Sequence, residues 1–467
     1  MKIAFHGAAQ MVTGSKHLIT TNDGTQILLD CGMVQGHGSD TDTLNRTWGF
    51  DPASVDFVIL SHPHIDHSGL IPKLVKDGFE GKIYTRPAST DLTEVLLYNS
   101  AYIQQDDTLF MNKRRKKEGR PPLQPLYTEA DVRKAMKQFV PVKVNTPIHL
   151  SQEITLTLYE AGHILGSSTV SLRVKKGEEE RHIIFSGDVG RYGDPILKSP
   201  ASFPQADCII IESTYGNKLH EEVDTYAGLL KKQIQETCIS KGGKLIIPAF
   251  SVGRTQELLY ALNELELNDE LPAIDYFVDS PLSIEATEVV KRHPECFNKS
   301  VHKLLKMDFD PFNFKGLHYV KDIEESKRLN DYGKPCVIIS ASGMAEAGRV
   351  KHHIANSIEN KRNTILLVGY CEPASLGARL KEHPEKIKIF GETFNIKADI
   401  HEINSMSAHA DYNDLCQYLA CQYPDEVRQV FVVHGEPEVQ QEFSRRLLRK
   451  GFKNVLVPEL RQEVVLE

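Results

Sequence analysis

An α/β fold is predicted by three features of this 467-residue sequence. Short β-branched runs recur, each stopping at a polar or glycine-containing segment, as strands do when they end in functional loops. Stretches with apolar residues at helical spacing lie between them. The composition, 40% hydrophobic and 25% charged, is that of an ordinary globular protein and excludes a disordered, collagenous or coiled-coil architecture.

Taken in order, the strand-like runs are 56–60, 154–158, 182–185, 208–211, 244–247, 276–278, 336–339, 364–368 and 430–433. Thr128 to Asp131 reads as a capping box opening a helix to about residue 139, and a second helix is expected from 253 to about 265. At roughly 150 residues per domain the chain has room for about three units, or two large ones. No run approaches the roughly 18 to 20 apolar residues of a membrane span and no leader is apparent, so a cytoplasmic protein is expected. The eight cysteines form no C-x-x-C pair and read as reduced thiols. Lys+Arg 55 against Asp+Glu 63 gives a net charge of −8, which on its own argues against a polyanionic partner. The one basic run, Lys113 to Lys117, is either a solvated helix end or a phosphate-contacting edge.

The chemistry-bearing signal is Ser61-His62-Pro63-His64-Ile65-Asp66-His67, directly after the run 56–60. With 19 histidines in the chain, such a grouping has a chance expectation on the order of 0.002. In extended backbone His62 and His64 point to one side and can grip one ion, while Asp66 and His67, past the turn into a helix, can meet a second. Two ions about 3.5 to 4 Å apart suit phosphodiester hydrolysis. Further ligands stand at other strand ends: His163 after Ala161-Gly162, and Asp188 after Ser186-Gly187, where glycine permits close backbone approach and the two oxygens of Asp188 allow bridging.

Asp30, His62, His64, Asp66, His67, His163 and Asp188 together resemble the ordered motifs of the metallo-β-lactamase fold. Segments 210–216, 248–254, 340–344, 369–370 and 407–412 resemble its β-CASP nuclease branch, closest to the prokaryotic relatives of the endonuclease subunit of the cleavage and polyadenylation specificity factor. The resemblance spans nearly the whole chain. It implies an αββα metallo-β-lactamase sandwich from residues 1–212 and 391–467, with an α/β β-CASP domain inserted at 213–390.

It also implies two zinc ions per chain, one held by His62, His64, His163 and Asp188, the other by Asp66, His67, Asp188 and His409, although such ligands also suit manganese or iron. Asp30 would orient a ligand histidine, Glu212 would support the site, and His434 would serve in positioning rather than as a ligand. Arg379 stands where the eukaryotic subunit has a histidine for the leaving group; it would stabilise phosphate charge, with His383 as the alternative acid. Ser340, Ser342 and Gly343 would present donors to the substrate phosphate, and Arg254 would face either phosphate or a carboxylate of the fold. The expected activity is zinc-dependent hydrolysis of single-stranded RNA, mainly endonucleolytic, by an activated hydroxide that Asp66 orients. A 5′-to-3′ exonuclease mode and a homodimer are compatible with it. The competing readings are a DNA nuclease, which His409 disfavours, a small-ester hydrolase, and a catalytically silent RNA-binding relative.

Overall fold

The computed structural model describes all residues except 37, 39, 178, 221–225, 370, 372–374, 404–406 and 467. Tyr370, part of one β-CASP-like segment, lies outside the described residues. The chain divides into two compact units, one made of residues 1–219 and 409–467 and the other of residues 220–408. The second unit begins and ends later than the 213–390 that the resemblance implied. The reason at its far end is the strand Asp399–Glu402, which pairs with Thr364–Leu367 in the sheet of the second unit.

The first unit holds two seven-stranded sheets. One runs in the order Glu463–Val465, Lys2–Gly7, Lys16–Thr20, Gln26–Leu29, Phe57–Ile59, Lys82–Thr85, Phe139–Pro141; the other runs Val455–Leu456, Gln429–Val432, Cys208–Ile211, Glu179–Phe185, Ser168–Lys176, Ile154–Glu160, Ile148–His149. The C-terminal segment thus supplies strands to both sheets. Alternation along a strand explains the layers. Ile210 points to the core shared by the sheets, with Phe5, Ile27, Leu156 and Phe431. Ile209 and Ile211 point the other way, onto Leu415, Tyr418, Phe443 and Leu447. On the far side Leu28 and Val58 meet Leu70, Ile71, Leu74 and Ala135. Strand 208–211 is apolar throughout because both its faces are covered. Helix, sheet, sheet, helix is the resulting order.

The second unit is built on six strands in the order Leu317–Tyr319, Asp275–Val278, Cys336–Ser340, Lys244–Pro248, Thr364–Leu367, Asp399–Glu402, with every pairing parallel. Parallel pairing requires crossovers, and the helices Arg254–Leu267, Pro281–Arg292 and Arg349–Ser357 provide them. A two-stranded hairpin, Lys386–Ile389 with Glu392–Asn395, stands apart from this sheet.

The predicted helix after Thr128 forms over Glu129–Met136, with Thr128 N and Oγ1 each donating to Asp131 Oδ2 at 2.9 Å. It ends before residue 139 because Phe139–Pro141 is claimed by the strand Lys82–Thr85. All eight cysteines are free thiols. Among the described residues no helix is long and apolar enough to cross a membrane.

Candidate metal centre

Strand Phe57–Ile59 delivers the histidine-rich segment, and His64 stands at the N-terminal boundary of the short helix Ile65–Ser68. That turn separates the four side chains into two pairs. His62 and His64 meet His163 and Asp188 with ligand atoms all within 4.8 Å of one another, and Asp66 and His67 meet His434 in the same way. In the first group His62 Nε2 lies 3.4 Å and His163 Nε2 3.5 Å from Asp188 Oδ2. In the second, His67 Nε2 lies 3.3 Å and His434 Nε2 3.6 Å from Asp188 Oδ1. Each oxygen of Asp188 thus faces a different group. Oδ1 is buried and has no hydrogen-bond partner among the described residues.

Such an atom is costly unless a cation or donor answers it. Histidine nitrogens that approach one another at 3.0 to 3.3 Å, as His67 and His434, His62 and His64, and His163 and His64 do, share the same need. An all-imidazole and carboxylate donor set of this kind fits zinc.

The electrostatics agree with the donor role. Burial, together with nearby His67, pushes the His62 imidazole down to about 3. Burial also takes His64 down to about 4, and His163 well below the ordinary histidine value. These rings are neutral at pH 7, the form that binds metal. Burial would depress His67 as well, but the carboxylates of Asp188, Asp66 and Asp30 hold it well above its ordinary value. A cation held there would take the place of that proton, so its binding would strengthen as pH rises.

Beneath the cluster, Asp30 Oδ2 lies 2.7 Å from His67 Nδ1, while Asp30 Oδ1 accepts from Ser61 N at 2.7 Å. The carboxylate thereby fixes the His67 tautomer and presents Nε2 to the cluster. Thr214 Oγ1, 3.0 Å from His434 Nδ1, stands in the same relation to His434. Backbone crowding is extreme here. A Cβ on Gly32 would lie 1.6 Å from the Asp66 carbonyl oxygen, and one on Gly187, whose φ is +55°, would lie 2.6 Å from Ser61 Cβ.

The geometry corrects two expectations. His434, read from sequence as a positioning residue, stands in the triad with Asp66 and His67, where His409 was expected. His409 instead places Nδ1 3.2 Å from Glu212 Oε1 and 3.9 Å from Asp188 Oδ2. Glu212 is held by backbone amides, Val189 N at 2.8 Å and Thr214 N at 3.1 Å. Burial pulls the His409 ring down, but Glu212 and Asp188 outweigh it and raise it to about 9. His434 was legible in principle: the run 430–433 ends in His434-Gly435, the same strand-then-ligand pattern that singled out His163 and Asp188.

The other predicted residues lie in the second unit, near the C-terminal ends of its strands. Ala249 N bonds Ser340 O at 3.0 Å, and a Cβ on Gly343 would press the Phe250 ring at 2.7 Å, so the loops carrying them are neighbours. Their side chains are largely committed inside the unit. Ser340 is fully buried and donates to Asp279 O at 2.7 Å. Arg254 is buried and paired with Glu257 on its own helix, the carboxylate alternative. Ser342 Oγ closes its own loop on Ala347 O at 3.4 Å. Arg379, on the helix Leu376–Lys381, lies 3.7 Å from Glu346 Oε2.

A two-sheet αββα layer carrying buried histidine and aspartate groups at its strand ends defines a metal-dependent hydrolase of the metallo-β-lactamase class. The chain matches the metallo-beta-lactamase superfamily over residues 15–221, the Beta-Casp domain over 255–380, and the Zn-dependent metallo-hydrolase RNA specificity domain over 393–458. It is 33% identical to Ribonuclease TTHA0252 of Thermus thermophilus, with 97% of each chain covered. It is 31% identical to an RNase J-like protein of Methanocaldococcus jannaschii, over 93% of this chain and 92% of that one. With Transcription termination factor FttA of Cenarchaeum symbiosum the identity is 29%, over 98% of this chain and 70% of the other. The chain belongs to the β-CASP branch of the metallo-β-lactamase superfamily, as a zinc-dependent metallo-hydrolase with an RNA specificity domain.

Proposed function

We propose that this chain is a ribonuclease that cleaves single-stranded RNA, mainly at internal phosphodiester bonds, with two zinc ions held in one cluster. The observation that carries the count is Asp188, whose two oxygens face two separate groups of ligands. His62, His64, His163 and Asp188 would hold one ion; Asp66, His67, His434 and Asp188 would hold the other. Bound there, zinc supplies charge to neutralise the phosphodiester and acidifies the attacking water.

The chain's own groups complete the reaction. Asp66, kept ionised by His67 and His434 despite its burial, orients the attacking water and accepts its proton. As the water oxygen bonds to phosphorus, the bond from phosphorus to the leaving ribose oxygen breaks. That oxygen takes a proton from His409, which Glu212 orients. His409 thus takes the acid role for which the sequence offered His383, a role Arg379 cannot fill because an arginine does not give up its proton. Substitution of His409 is expected to lower kcat about 100- to 10,000-fold, the usual worth of a general acid.

The test measures zinc by elemental analysis beside cleavage of a 5′-labelled single-stranded RNA. His434→Ala should lose close to one zinc per chain together with cleavage. His409→Ala should keep the wild-type metal content and lose turnover. If His409→Ala lost metal and His434→Ala did not, the ligand assignment would be reversed. Wild-type protein that binds two zinc ions but cleaves single-stranded DNA or small esters in preference to RNA would refute the substrate.

A further inference from the structure

The helix Pro87–Lys117 is 31 residues long, but only its first part is packed. Its last buried residues, Leu97 and Ala101, share a small core with Tyr127 and Val132, against which Ile65 of the metal-binding segment packs. Beyond Ala101 most of the helix faces solvent. Tyr102 is 62% exposed, Leu109 63% and Phe110 74%; Ile103, Lys113, Lys116 and Lys117 are exposed too. At 100° per residue these side chains fall on one face, with Asp106 the acid among them. The opposite face is occupied: Asn112 exchanges hydrogen bonds with Leu123, and Arg115 Nε donates to Pro121 O at 2.7 Å.

Charge follows the stripe. Residues 113–120 carry six basic side chains and one acid in a chain whose net charge is −8. Glu118 pairs with Arg114 at 2.9 Å and with Arg120 at 3.4 Å. Lys113, Lys116 and Lys117 form no ion pair among the described residues. Aromatic rings leading into unpaired lysines are the combination that holds single-stranded nucleic acid, rings stacking bases and cations tracking phosphates. A protein partner would be served by the apolar residues but not by three unneutralised lysines on the same stripe.

We infer that the exposed half of this helix is an RNA-binding arm, a second contact for the substrate chain apart from the metal centre. The inference rests on the ribonuclease reading. Lys113 is twelve residues past Ala101 and so stands about 18 Å beyond the packed part of the helix, roughly five stacked nucleotides. The arm therefore acts on long RNA and is out of reach of a trinucleotide.

The test compares the wild type with a Lys113→Gln, Lys116→Gln, Lys117→Gln variant and with Phe110→Ala. These positions are exposed and glutamine is a good helix former, so zinc content and circular dichroism should match the wild type. Affinity for an RNA of about 20 nucleotides is measured on metal-depleted protein as salt is varied. Losing three phosphate contacts should flatten the slope of log affinity against log salt by about 2. Loss of one stacked base in Phe110→Ala should weaken binding about fivefold or more. On the metal-loaded protein the triple variant should raise KM for the long RNA while cleavage of a trinucleotide is unaltered. Unchanged slope and affinity would overturn the arm, as would a change only in self-association measured by sedimentation. Failure of the wild type to cleave any RNA would refute the ribonuclease reading instead, since the binding measurement does not depend on cleavage.

Discussion

Asp30 acts from behind the cluster: its Oδ2 sits 2.7 Å from His67 Nδ1, the ring nitrogen turned away from the other ligands, and 2.9 Å from the Ser61 hydroxyl oxygen. Orienting partners of this kind are worth about 10- to 100-fold in metal affinity. Asp30→Ala should therefore weaken zinc binding by that factor in a chelator competition, with the fold retained by circular dichroism. Gly32 makes a harsher test, because a methyl there would overlap the Asp66 carbonyl at 1.6 Å. Gly32→Ala should displace the Asp66-His67 backbone and cost at least one zinc per chain, read by elemental analysis. The pair His409 and His434 shows the limit of reading residues one at a time. Both are histidines in plausible motifs, and the proposed division into proton carrier and ligand rests on the partners of their Nδ1 atoms, Glu212 for His409 and Thr214 for His434.

Elements were legible where one period runs unbroken. The apolar strand 208–211 and the capping box at Thr128 both formed where expected. Thr128→Ala removes one of the two bonds to Asp131 and should cost about 1 kcal/mol in thermal or denaturant unfolding. Ile210→Ala, in the core between the sheets, should cost about 2 to 5 kcal/mol in the same measurement. The long helix Pro87–Lys117 escaped notice because its pattern changes midway. Leu92, Leu96, Leu97 and Ala101 are buried, whereas Leu109 and Phe110 are exposed, so no continuous stripe announces it. The two opening strands were missed for a different reason: Lys2, Lys16 and His17 interrupt their apolar pattern, yet Lys16 is buried and answered by the carbonyls of Gly14 and Gly32 at 2.9 and 2.8 Å.

For the whole molecule, the metal groups sit in the first unit, whose two parts are joined around them: His434 comes from the C-terminal piece and six of its neighbours from the N-terminal piece. Chelation should lower the melting temperature of that unit and leave the second unit's transition in place, visible as separate calorimetric peaks. In the chelated protein His62 and His64 have folded pKa values of about 3 and about 4, below the roughly 6.5 of an unfolded histidine. The unfolded chain then takes up protons first, and stability falls as pH drops from about 6.5 toward 4. His409, raised to about 9, has the opposite sign: its contribution is complete below about 6.5 and is lost as pH rises toward 9. The melting temperature of the chelated first unit should accordingly peak between these windows. A value constant from about pH 4 to 9 would contradict the assigned charge states.

What the sequence determined by itself was everything carried by local spacing. Ligands packed within six residues and strands that end at glycine point to a metal-dependent hydrolase without coordinates, and the motif order running the length of the chain carries the resemblance to the β-CASP branch. Tertiary structure alone decided which distant histidine completes the second group, which carboxylate answers His409, and where the inserted unit returns at His409. The reason is physical: a ligand's role depends on which of its nitrogens is engaged and by whom, and those partners are brought together across more than two hundred residues by a fold that periodicity does not specify.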